Sequence, residues 1–506
     1  MGRSSHGFKV SDGVALSGGF DPNRGSTLPL SRIVQLFIGA GSLLILGVSL
    51  VSTTEAWIGA VAVLSLFLSF RVATNPFYSL LTFLAVMFAV VLQPQRENGV
   101  SAIDVIAGVV MLGLFLWWFL RDRATLDRSF SLNWGHLLLL IYFVWSIVIG
   151  IAGMIAYNNS PNDWLREILI QLPLVFIPYI VVQALEGKEK REKILFQILP
   201  VVWMVIMIIA VIQFRSHLLK AVYFYQTGRI IFGLTSAILL FFSSVSFVIV
   251  EENSKRIKYF AFAGALAAVL IGLSMYRTVW IACLVALPVV YALASKGERK
   301  RLRKYTFILS LLLLSGLTVA YIRVPLVRIF VASFFSRFAS TTQVTTDASL
   351  VNRYIEWREL WNTIKGSPLV GYGYGARYLD FDWLRGYWIW AGYSHNAYLF
   401  VLFKSGILGF TALFAAYLGF VIKALKLARS KLLDPVALAA VRVAMLWSIF
   451  LLITSLTLNA FAEREAMFWL GLSWGLLTFY ERRAGREKDA MLPRNAPVVE
   501  PSFLTP

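Results

Sequence analysis

The chain has 506 residues, of which 58% are hydrophobic and only 15% charged, and its mean hydropathy is +0.72. A soluble domain carries roughly a quarter of its residues as charges to cover its surface, so a water-soluble globular protein is excluded. The net charge of +20 does not mark a nucleic-acid binder, because Lys and Arg gather at the ends of apolar runs, where they set topology and meet anionic headgroups.

Residues 1–32 are polar and Gly/Ser-rich, without the short apolar core and cleavage site of a signal peptide, and read as a cytoplasmic tail. Apolar run length then predicts about fourteen membrane spans. They fall at 33–52, 56–73, 76–93, 102–120, 134–156, 165–185, 194–214, 230–250, 258–274, 277–295, 305–322, 396–422, 436–459 and 465–480. The expected fold is therefore all-α: a polytopic transmembrane helical bundle of about 12–14 spans with one large external loop containing short helices. Pro76 opens a span where a missing N–H is harmless, whereas Pro173 and Pro178 sit inside one and predict a kink. The single cysteine, Cys283, lies in an apolar run, so no intramolecular disulfide forms.

Charge placement orients the bundle. With the N-terminus inside, the segments around Arg121, Lys188, Lys255, Lys296, Lys423 and Arg482 face the cytoplasm, together with both tails (1–32 and 481–506). These segments hold roughly 30 Lys and Arg, against about 7 in the short outside segments. Residues 33–322 and 396–480 form the membrane part, and the long segment 323–395 faces outward, to the periplasm or cell exterior.

The outer segment is too aromatic for a solvated coil, with Trp357, Trp361, Trp383, Trp388 and Trp390. Arg323 to Arg337 suits an amphipathic helix on the membrane surface. A second helix is expected from Asp347 to Ile364, with Leu350, Tyr354, Trp357, Leu360, Trp361 and Ile364 on one face. Pro368 and the following glycines stop it.

Two blocks of this segment carry a resemblance. The first is Arg353-Tyr-Ile-Glu-Trp357 followed by Ser367-Pro-Leu-Val-Gly-Tyr-Gly-Tyr-Gly375, and the second is His395-Asn396-Ala-Tyr398-Leu followed by Gly406-Ile-Leu-Gly409. Their order and place resemble the O-antigen ligase family, which also includes polysaccharide polymerases. Arg277, in Ser274-Met-Tyr-Arg277, is similar to the family's "SxxR", and Arg229 to its external arginine. Two departures stand out: no Asn-Pro-Asn follows Arg229, and Lys404 stands where an acidic residue is common.

The resemblance implies a membrane glycosyltransferase that moves a polysaccharide from an undecaprenyl diphosphate carrier to an acceptor hydroxyl, such as lipid A–core. A polymerase would use the same donor and a second lipid-linked glycan. A flippase is the reading from a different class, but it calls for internal repeats and mid-membrane charges. The residues give their own support. Arg229 and Arg277 at outer span ends and Arg353 in the outer segment suit a diphosphate, because guanidinium stays charged and binds phosphate bidentately. His395 is the candidate general base, and Arg229 and Arg277 are the candidate stabilisers of the leaving group. Trp357, Asn396, Tyr398, Gly371, Gly373 and Glu463, with Arg353, are candidate substrate contacts. No acidic pair with metal-ligand spacing is present, so metal-independent transfer without a cofactor is expected.

Plainer readings stand beside these. His395 is placed to cap a span, Arg277 and Arg229 to snorkel to headgroups, and Arg353 to be a surface charge. The glycines read as a tight turn, not a dinucleotide fingerprint. Trp383 to Trp390 reads equally as an interfacial belt or a sugar platform.

Overall fold

The computed structural model describes residues 74–491 apart from 92–101, 125–132, 221–232, 252, 275, 340–347 and 384–385. The chain divides into Met1–Arg71 and Val72–Pro506, and every described element belongs to the second unit. The expected spans 33–52 and 56–73, and both tails beyond Met491 or before Thr74, lie outside the described residues.

Among the described residues fourteen α-helices run in order. They are α1 (Pro76–Val91), α2 (Ala102–Ala124), α3 (Trp134–Tyr157), α4 (Pro161–Leu185), α5 (Glu189–Lys220), α6 (Leu234–Val250) and α7 (Ser254–Leu273). The rest are α8 (Arg277–Leu293), α9 (Lys296–Arg323), α10 (Pro325–Ala339), α11 (Ala348–Ile364), α12 (Ala397–Leu427), α13 (Pro435–Thr454) and α14 (Arg464–Met491). Seven of them are long and apolar enough to cross a membrane. The remaining twelve expected spans each coincide with a helix, but several helices extend past the apolar run. α9 starts at Lys296 rather than 305 because Ser295 and Glu298 form a reciprocal capping box. α14 runs on to Met491.

Local chemistry sets the other starts. Ser160 caps α4 ahead of Pro161, and Asp434 caps α13 ahead of Pro435, each pair satisfying or removing an orphan N–H. α4 runs through Pro173 and Pro178 and is the buried axis of the bundle. α14 packs along it through Gly471 and Gly475. A Cβ on Gly471 would lie 2.4 Å from the Pro173 carbonyl oxygen, and one on Gly475 3.0 Å from the Pro178 Cα. Small residues at such a seam let two backbones approach without a hydrophobic driving force from lipid.

Segment 323–395 contains strands besides the expected short helices. It holds α10 and α11, and then a two-stranded antiparallel hairpin, β1 (Tyr378–Asp382) with β2 (Tyr387–Ala391), in register Tyr378↔Ala391 to Asp382↔Tyr387. The two strands alternate. Leu379, Phe381, Trp388 and Trp390 share one face, while Asp380, Asp382, Ile389 and Ala391 share the other. Arg328 of α10 donates from Nε to the Tyr321 carbonyl (2.8 Å) and from Nη2 to the Ile322 carbonyl (2.6 Å), closing the end of α9. The buried face of α11 also differs from expectation. Leu360 and Ile364 are buried as predicted, but Tyr354 and Trp361 are exposed and Glu356 turns inward. The reason is a polar partner for Glu356.

Candidate active site

The site is assembled where the end of segment 323–395 meets the membrane helices. The glycine turn comes first. Tyr372 N–H donates to the Phe403 carbonyl (2.9 Å) and Gly373 N–H to the Lys404 carbonyl (2.9 Å). Ile407 and Leu408 return bonds to Pro368 and Leu369. These bonds are available because α12 is broken at Gly406, whose φ of 61° and ψ of −173° free the surrounding backbone groups. The fit is close. A Cβ on Gly371 would be 2.6 Å from the Gly406 nitrogen, and one on Gly373 2.4 Å from the Ile149 carbonyl of α3. Gly371 and Gly373 were expected to touch substrate. Instead they pack backbone against backbone, away from the cavity lining.

Lys404 explains its own departure from the family pattern. It is fully buried and donates to Glu167 Oε1 (2.8 Å) and to the Ala376 carbonyl (2.6 Å), while Glu167 Oε2 accepts from Gly375 N–H (2.7 Å). Arg377 adds a fork to Asp163 Oδ2 at 2.9 and 2.6 Å. The turn leading into β1 is thus fastened to the first turns of α4 by two charged links.

Behind it lies a cavity of about 560 Å³ lined by Arg166 and Glu167 of α4, Asn352 and Glu356 of α11, Asp380 and Asp382 of β1, and Ile389 and Ala391 of β2. Gly392, Tyr393, His395, Ala462 and Glu463 complete most of the wall. His395 lies on this wall. Its backbone N–H donates to Glu356 Oε1 (2.6 Å) and its Nδ1 lies 2.7 Å from Glu356 Oε2. Glu356 is 2% exposed, whereas the His395 side chain is 41% exposed toward the cavity. A carboxylate only accepts, so Nδ1 carries the hydrogen and Nε2 is left as the ring's acceptor. The cap that His395 was suspected of forming is made by Asn396, whose Oδ1 accepts from Leu399 N–H (3.0 Å).

The other expected contacts divide. Glu463 lines the cavity with His395. Arg353 and Trp357 are half-buried on α11, flanking Glu356 but outside the lining. Tyr398 is turned away and donates to the Leu452 carbonyl (2.6 Å). Arg277 begins α8, which is tied to the turn after α13 by a Thr278–Thr457 hydroxyl contact. The same turn presents Asn459 N–H to the Tyr393 hydroxyl (3.4 Å), so Arg277 sits at the site's end of the bundle without lining the cavity. Arg229 lies outside the described residues.

Four cavity carboxylates, Glu167, Glu356, Asp380 and Asp382, were not singled out from the sequence. Burial, then the charges of Glu356 and Asp382, push the Asp380 carboxyl up to about 6. Burial, and after it Glu465, raises Glu463 to about 7. The cavity lining contains one arginine, Arg166, among five carboxylates. Among the described residues no group of three His, Cys, Asp or Glu side chains is placed to hold a metal ion.

Residues 262–414 match the O-Antigen ligase family model. The match covers under a third of the chain and contains Arg277, Glu356, Asp380 and His395, while Arg166, Glu167 and Glu463 come from outside it. No curated protein matches the chain significantly. Seven helices long and apolar enough to cross a membrane accompany this match.

Proposed function

We propose that this O-antigen ligase-like protein transfers a glycan from undecaprenyl diphosphate to an acceptor hydroxyl, such as one on lipid A–core, at the outer face of the inner membrane. The observation that carries this reading is His395, held by Glu356 through two short bonds and facing the cavity. The acceptor O–H gives its proton to Nε2, its oxygen attacks the anomeric carbon, and the bond from that carbon to the diphosphate breaks. The diphosphate leaves with the electron pair. Glu356 holds the imidazole in the useful tautomer and stabilises the imidazolium that forms, as the carboxylate does in a hydrolase triad. Arg277 and Arg229 are proposed to neutralise the departing diphosphate, and the step calls on no metal.

The orientation rests on charge asymmetry between segments. The test replaces His395 with Ala in the native host and measures the glycan left on the carrier. Long chains on the carrier with none on the final acceptor support a ligase. Single repeat units exposed outside support a polymerase that uses the same site. Full-length glycan on the acceptor would refute the assignment of His395, and units trapped inside would point to a flippase.

A further inference from the structure

The cavity holds a carboxylate whose chemistry is unfinished. Asp380 is 7% exposed, lines the cavity wall, and its Oδ1 is buried without a hydrogen-bond partner. The other strong polar groups nearby are engaged differently. Glu356 accepts both bonds from His395, and Glu167 is taken by Lys404 and Gly375. A buried oxygen without a donor costs free energy that an incoming donor returns. The partner must therefore bring donors to this wall, and sugar hydroxyls do so in adjacent pairs that match the two oxygens of a carboxylate.

The surroundings select the charge of that partner. Asp382 lies on the same strand face as Asp380, and Glu463 closes the wall near His395, against Arg166 as the one guanidinium. His395, on the same cavity wall, acts to lower the Asp380 carboxyl, but burial and the acidic neighbours outweigh it. An anion entering here meets like charge in a partly enclosed space, where opposition is stronger than in bulk water.

Resting on the transfer reading above, we infer that the Asp380 wall is the acceptor subsite and takes a sugar bearing no anionic group, with Asp380 accepting from adjacent hydroxyls. The donor's diphosphate is kept out of this cavity and left to the arginines at the ends of neighbouring helices. The two substrates are thus sorted by charge around His395. A uronic acid or phosphorylated sugar is rejected from the acceptor position by the same wall that holds a neutral one.

The experiment measures binding of methyl glucoside, methyl glucosaminide and methyl glucuronide to the purified full-length protein in detergent, by saturation-transfer NMR. Asp380→Asn and Asp382→Asn are compared with wild type, and His395→Ala is carried in parallel. The expected result is binding of the neutral and amino glycosides, with the glucuronide weaker by at least about tenfold, a difference of roughly 1.4 kcal/mol. Asp380→Asn should weaken the neutral glycoside by at least about tenfold while remaining folded, and both substitutions should narrow the discrimination against glucuronide. Equal binding of glucuronide, no binding of any glycoside, or neutral binding unchanged in Asp380→Asn would each overturn the inference. His395→Ala separates the two readings. Discrimination retained with transfer abolished supports both, whereas discrimination retained with transfer intact sinks only the assignment of His395.

Discussion

Replacing Lys404 with Met tests whether the glycine turn is held by charge. The ammonium is fully buried, 2.8 Å from Glu167 and 2.6 Å from the Ala376 carbonyl. Removing it leaves the Glu167 carboxylate, 6% exposed, with the Gly375 N–H at 2.7 Å still donating to it. Breaking a buried pair by deleting one partner costs about 3–5 kcal/mol, because the other charge stays desolvated. The orphaned Ala376 carbonyl lies inside that figure, since an unmade buried bond alone costs about 1–3 kcal/mol. Lys404→Met should therefore lose about 3–5 kcal/mol in a denaturation series in detergent. Glu167→Gln should lose a similar amount by stranding the lysine. The double variant, with neither charge buried, should lose less than the sum by about 2 kcal/mol or more. Transfer activity should fall with stability, because the same turn leads directly into β1 and Asp380. Additive losses, or a single substitution costing under about 0.5 kcal/mol, would refute a structural ion pair here.

Asp380→Asn should stabilise the protein at pH 7.5. The group's folded value of about 6 lies above its usual 3.8, so ionisation costs the fold stability progressively as pH rises from 3.8 through about 6. Discounted for partial solvation, the gain on substitution is about 1–2 kcal/mol at pH 7.5 and near zero at pH 4, read from thermal unfolding at both values. Gly373→Ala should cost at least about 2 kcal/mol, since φ is +84° and the new Cβ meets the Ile149 carbonyl at 2.4 Å; size-exclusion of a fluorescent fusion reports the loss of folded protein. Arg277→Ala should slow transfer by about 10²–10³-fold in a reconstituted assay, with binding of neutral glycosides unchanged. A chelator should leave the transfer rate of purified protein unchanged.

Much of the helical frame was legible in the sequence because it depends on local run length, charge flanks and caps such as Ser295 with Glu298. His395 and Asn396 were legible as a pair, but their roles separate only in three dimensions, where one faces the cavity and the other caps α12. Glu356 was hidden inside a recognised block. The available signal was its position four residues before Leu360 and eight before Ile364, which puts it on the buried side of α11. Lys404 and Glu167 are 237 residues apart, so no local pattern joins them. The hairpin was missed because its strands are five residues each and rich in aromatics, a composition that also suits a membrane interface. Its two-residue alternation is what aims Asp380 and Asp382 at the cavity and turns Trp388 and Trp390 outward.

The most direct measurement is the rate at which labelled glycan leaves undecaprenyl diphosphate in native-host membranes, for wild type, His395→Ala and Glu356→Gln. The expected result is loss of about 10³-fold or more for His395→Ala and about 10²–10⁴-fold for Glu356→Gln, with both proteins folded and inserted. A wild-type rate from folded His395→Ala would contradict base catalysis at this cavity, whatever the other residues do.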